Sequence, residues 1–224
     1  MALEWSIACD AAAVGTDWST VHNPLGQTVA QNATSRRRGA RGLQVAGAAV
    51  SGAAAVKTPW HSALVSGQYA ALGFYWKGVT YPSAGTTTFI LAQNSMGQVI
   101  YAMTVSNTGA ILLIGYTNAG SPIVVSGATL AVGTWAYFQV LLYAHNAAGW
   151  YELYKDGALV GRSPTAANDT RDAAPGPLFA GLVGAQTVDF QSDQYRCGDV
   201  IADVDDPIPA AAWNMIHSAG AMVA

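Results

Sequence analysis

Apolar and polar residues alternate with a period of two along most of this chain. The pattern is sharpest from Trp135 to Gly161, WAYFQVLLYAHNAAGWYELYKDGALVG. Tyr137, Gln139, Leu141 and Tyr143 interleave with Phe138, Val140, Leu142 and Ala144. After a turn, Trp150, Glu152 and Tyr154 interleave with Tyr151, Leu153 and Lys155, and Asp156-Gly157 follows. Alternation places successive side chains on opposite faces of a strand, and Asp-Gly supplies the positive φ of a tight hairpin turn. The segment therefore predicts antiparallel strands joined by short turns.

The same periodicity predicts strands over Leu3 to Cys9, Leu43 to Val50, Tyr69 to Tyr81, Thr86 to Gln93 and Val99 to Ser106. Asn107-Thr108-Gly109 closes a hairpin into Ala110 to Tyr116. Further strands are expected at Ile123 to Val125, Leu178 to Val183, Thr187 to Phe190 and Tyr195 to Val204. Residues 10–42 read as turns. Residues 57–64 read as a connection, because Pro59 cannot donate to a central ladder. Asp206-Pro207 ends the strand pattern, and residues 210–222 have helical potential. Closely spaced strands with no linker and no repeat predict an all-β fold, a two-sheet antiparallel sandwich over residues 1–206. Residues 207–224 are a short tail.

Composition changes the picture mainly through charge. Hydrophobic residues make up 51% of the 224, enough for a large core, but Asp, Glu, Lys and Arg only 10%. About 25% is usual for a soluble domain, so this exterior has little electrostatic protection against association. A net charge of -3 gives no reason to expect nucleic acid, whose binding depends on clustered cations. The exception is the group Arg36, Arg37, Arg38 and Arg41, which suits an acidic partner or a solvated loop. No secretory leader and no membrane span are expected.

The residues offer little catalytic chemistry. Glycosidases place two carboxyl groups across the scissile bond. Here the only glutamates are Glu4 and Glu152, and Glu152 is followed on its face by Tyr154 and the turn residue Asp156. His22, His61, His145 and His217 form no close ligand motif, and there is no Gly-x-Ser-x-Gly elbow. The expectation is a chain without catalysis and without a cofactor. Calcium, were it bound, would have Asp203, Asp205 and Asp206 where the last strand ends. Sugar binding would combine an aromatic platform with polar side chains, for which Trp60, Trp150, Asn168 and Asp169 are the candidates, with Tyr81, Tyr116 and Asn118 behind them.

The order of motifs resembles the concanavalin A-like, or laminin G-like, jelly roll. Gly133-Thr134-Trp135, the alternating strand, Tyr151 to Tyr154, Lys155-Asp156-Gly157 and Val160 match its GxW…DG pattern, and Tyr195 to Val204 with Asp199 is similar to its closing strand. The resemblance implies first and last strands side by side, bringing Cys9 and Cys197 near each other, where a reducing cytoplasm would leave both as buried thiols. The chain also looks like the stand-alone form of this domain found in tailed-bacteriophage virion proteins. That likeness implies an accessory structural protein of the particle, assembled in the host cytoplasm and carried in the virion. Its partners would be a major capsid or tail protein and further copies of itself. Arg36, Arg37, Arg38, Arg41, Trp213, Met215 and Ile216 would be the contacts, with neither nucleic acid nor membrane as partner. The alternative is a lectin-like module that binds glycan.

Overall fold

The alternating segments form two antiparallel sheets, laid face to face. In the computed structural model, residues 3–9, 11, 13–22, 27–37, 39–47, 53–59, 64–164, 170, 175–183, 187–199 and 204 are described. The first sheet has the order β13 (Ala158–Arg162), β12 (Trp150–Lys155), β11 (Ala136–Ala144), β6 (Gln68–Thr80), β15 (Val188–Gly198), β4 (Gly42–Gly47), β3 (Thr28–Asn32), and β1 (Leu3–Ile7) also pairs with β15. The second has the order β10 (Pro122–Thr129), β9 (Ala110–Tyr116), β8 (Val99–Ser106), β7 (Thr86–Asn94), β14 (Pro175–Val183), β5 (Ala53–Pro59), β2 (Thr20–His22). A short helix, Val14–Asp17, lies between β1 and β2.

One face of each sheet closes on a shared core, and the alternation read from the sequence assigns it. Ala70, Leu72, Phe74 and Trp76 point inward from β6, and Phe138, Val140 and Leu142 from β11. They meet Phe89, Ile100, Met103 and Leu113 of the second sheet. Trp76 stacks on Phe89 at 4.4 Å between ring centroids, and Phe74 stacks on Tyr195 at 5.3 Å. Tyr151 ties the two layers together. Its hydroxyl lies 3.0 Å from the Ile100 carbonyl and 2.9 Å from the Tyr116 carbonyl, and accepts the Tyr116 N–H at 3.2 Å. Gly115 makes room for that ring, since a Cβ there would sit 2.2 Å from it.

β15 changes partner half way along. It pairs with β4 from Val188 through Ser192 and with β1 from Tyr195. Between the two stretches Gln194 takes a φ of 53° and the register on β6 shifts between Asp193 and Arg196. Asp193 is opposite Tyr75 and Arg196 opposite Gly73, so this bulge puts both on the outer face although three positions separate them.

The expected all-β sandwich and most of its strands are present. Residues 57–64 are not wholly a connection: β5 runs from Ala53 and accommodates Pro59 as its last residue, where a missing donor costs least. The turn-rich reading of 10–42 missed β2 and β3. The two strands expected at 187–190 and 195–204 are largely one, β15. First and last strands do lie side by side, with Trp5 opposite Cys197. Cys9 lies beyond the far end of that pairing, and both cysteines are buried and neither is in a disulfide. The tail, with Trp213, Met215 and Ile216, falls outside the described residues.

Candidate functional site

The outer face of the first sheet gathers the chemistry of the chain. Alternation aims Tyr69, Tyr75 and Lys77 outward from β6, Tyr137, Gln139 and Tyr143 from β11, and Trp150, Glu152 and Tyr154 from β12. From Tyr69 to Lys77 the face extends about 26 Å at roughly 3.3 Å per residue. Register fixes its layout, because residues directly opposite on neighbouring strands share one row.

At one end Tyr69, Tyr143 and Trp150 form such a row across β6, β11 and β12. The ring centroids of Tyr69 and Tyr143 are 4.7 Å apart, and Tyr143 and Trp150 are 5.8 Å apart. Tyr69 is 40% exposed, so its ring is open to a ligand. In the next row Arg162 of β13 faces Glu152. Its guanidinium pairs with Oε1 of Glu152 and lies over the Trp150 ring, 4.4 Å from the centroid. Tyr154 donates its hydroxyl to Oε2 of the same carboxylate at 2.8 Å. Burial, and then that hydrogen bond to Glu152, push the Tyr154 phenol up to about 12.

At the other end Lys77 lies over Trp135, 4.8 Å from the ring centroid. Burial lowers the Lys77 ammonium, against the opposing pull of Asp189. Asp189 accepts from the Gln44 amide at 3.1 Å, and Gln44 accepts from Asn32 at 2.9 Å. Gln191, between Lys77 and Gln44 in register, is buried, and its Oε1 has no hydrogen-bond partner.

Between these ends the face is covered by the chain itself. Arg37, in the loop after β3, lies over the Tyr75 ring at 5.2 Å, and its N–H donates to Asp193 at 2.9 Å. Val204 covers the centre, buried against Ala71 and Leu141. Its carbonyl accepts from the Tyr137 hydroxyl at 2.7 Å and from the Gln139 amide at 3.3 Å.

Of the candidates named from sequence, Trp150 belongs to the aromatic row. Arg36 is exposed beside the covering loop, Arg37 turns inward onto Tyr75, and Arg41 reaches the Gln31 carbonyl at 3.4 Å. Arg38, Trp60, Asn168 and Asp169 lie outside the described residues. Tyr81 instead closes the sandwich edge, donating to the Leu130 carbonyl at 2.7 Å. His145 is a turn residue, its Nδ1 accepting from the N–H groups of Ala147 and Ala148. Among the described residues no group of three or more His, Cys, Asp or Glu could hold a metal ion, and Asp203, Asp205 and Asp206 are outside them. Sequence reasoning did not single out Tyr69, Tyr143, Arg162 or Lys77 as site residues. Each sits at an ordinary alternating position, and only the strand register collects them.

Two sheets in this arrangement define a concanavalin A-like jelly roll. No protein-family model and no curated protein sequence matches the chain. Similar solved structures include an endo-β-1,4-glucuronan lyase from the fungus Trichoderma reesei, with a TM-score of 0.70 and 15% identity, covering 91% of this chain and 98% of that one. The cellulose-induced protein Cip1 follows at a TM-score of 0.65 and 15% identity, over 88% of this chain and 98% of its own. The globular domain of T. cruzi calreticulin has a TM-score of 0.61 and 11% identity, over 97% and 99%. The fold is thus shared with carbohydrate-active and binding proteins. These findings correct the expectation of a chain without catalysis, since nearly the whole body of an enzyme has this shape. The missing glutamate pair tested glycosidase hydrolysis alone.

Proposed function

We propose that this domain binds a glycan along the outer face of its first sheet. The observation that carries the reading is the row of Tyr69, Tyr143 and Trp150 on three adjacent strands, flanked by the Arg162, Glu152 and Tyr154 set. Aromatic rings pack against the C–H face of a sugar, while neighbouring charged groups take its hydroxyls. Lys77, Arg162 and Arg196 suit an acidic chain, and the likeness to a glucuronan lyase supports a glycan as ligand. Titration calorimetry with acidic and neutral oligosaccharides tests this. Tyr69→Ala and Trp150→Ala should each weaken binding about tenfold. Wild-type protein that binds no oligosaccharide, or variants that bind as it does, would refute the reading.

Eliminative cleavage of an acidic glycan is a second reading, favoured by the 98% coverage of the lyase. The same incubations, followed by ultraviolet absorbance, would reveal the unsaturated ends that elimination leaves. Placement on a phage particle, with capsid or tail protein and further copies as partners, is a separate proposal. It is supported by the 10% of charged residues and by the virion-protein likeness. Absence of the chain from purified particles would refute it.

A further inference from the structure

We infer that Val204 occupies the central glycan seat of this face, its carbonyl standing where an oxygen of the sugar chain would sit, so that glycan and Val204 compete. The inference rests on the glycan-binding reading. Two donors two positions apart on β11, the Tyr137 hydroxyl and the Gln139 amide, converge on the one Val204 carbonyl at 2.7 and 3.3 Å. Such a pair would donate to any oxygen with two lone pairs, and best to a uronate carboxylate oxygen, because charge strengthens both hydrogen bonds.

The floor of the seat is bare backbone. Gly73 faces Gln139 across the β6–β11 ladder, and a Cβ on it would come within 2.5 Å of both the Tyr137 hydroxyl and the Val204 carbonyl. The walls are Ala71 and Leu141, and Trp150 and Tyr154 pack at the rim. Trp150 also belongs to the aromatic row and Tyr154 to the set beside it, so the seat is continuous with the exposed end of the face. A glycan extending inward from Tyr69 and Trp150 meets Val204 first. A segment that served only as cover would be held as well by apolar side chains, without the desolvation of a buried tyrosine and glutamine.

The test is calorimetry on the full chain with short oligoglucuronates and, in parallel, neutral cello-oligosaccharides. Val204→Asp replaces the apolar contact with Ala71 and Leu141 by a carboxylate that must be desolvated there, which expels the residue. Affinity for the oligoglucuronate should then rise about 10- to 100-fold, the equivalent of one buried valine. Adding Tyr137→Phe and Gln139→Leu should abolish that gain. Gly73→Ala should displace Val204 yet fill the seat, and so give no gain. Val204→Gly is the milder substitute if the aspartate variant does not fold. Unchanged or weaker affinity in the Val204 variants, while Trp150→Ala still weakens binding, would overturn the competition and leave the glycan reading standing. So would an equal gain in Gly73→Ala. No binding by any variant, wild type included, would overturn both.

Discussion

Removing Arg162 should destabilise the domain, and substituting its partner as well should restore part of the loss. Glu152 is 2% exposed, and its two oxygens are taken by Arg162 and Tyr154. Breaking a fully buried ion pair costs about 3–5 kcal/mol, because a charge is stranded. The Arg162 side chain is 47% exposed, so water can enter where the guanidinium was, and about 2 kcal/mol is the better figure. Loss of the contact with Trp150 adds about 0.5 kcal/mol, so Arg162→Ala should cost roughly 2–3 kcal/mol. Glu152→Gln keeps shape and removes charge, for about 1 kcal/mol. In the double variant no charge is stranded, and the loss should be about 1–2 kcal/mol, less than for Arg162→Ala alone. Urea unfolding at neutral pH measures all three against the wild type. A double variant no more stable than Arg162→Ala would refute the idea that Glu152 depends on its cation.

Tyr151→Phe should cost about 2 kcal/mol, since it leaves two carbonyls and an N–H without their shared hydroxyl; a thermal midpoint within a degree of wild type would contradict this. The Tyr154 phenol, raised to about 12, favours its protonated form in the folded state. Its contribution to stability is complete below the ordinary tyrosine value near 10 and disappears as pH climbs through about 12. Alkaline absorbance difference spectra against Tyr154→Phe should place the ionisation there, and Glu152→Gln should move it down. Both cysteines should resist a thiol reagent in the native protein, since each is buried and burial pushes the Cys9 thiol well up. Two thiols should titrate in denaturant, and a count of zero would mean a disulfide.

The sandwich was legible because inward and outward residues alternate with little interruption from Tyr69 to Tyr81 and from Ala136 to Lys155. Pro59 misled because its cost depends on position, and the end of a strand hides the missing donor. Thr20 to His22 and Thr28 to Asn32 are too short for periodicity to register among the surrounding turns. The candidate face was legible only in part. Alternation says that Tyr69, Tyr143 and Trp150 each point away from the core, but not that they stand in one row, because register is set by pairing between distant strands. Likewise the carbonyl of Val204 carries no side-chain signature that would tie it to Tyr137 and Gln139.

The extra residue in β15 makes the strand's inside-outside assignment a matter of parity. Deleting Gln194 would bring Arg196 two positions after Asp193, the spacing that plain alternation puts on one face, so Tyr195 and Cys197 would stay inside; deleting any residue outside the bulge would exchange the two faces. A homologue with a regular strand here would therefore need a one-residue gap at Gln194 to keep Tyr195 aligned with a core position. The bulge is thus the one point among the described residues of this strand where a residue can be lost without exchanging its two faces.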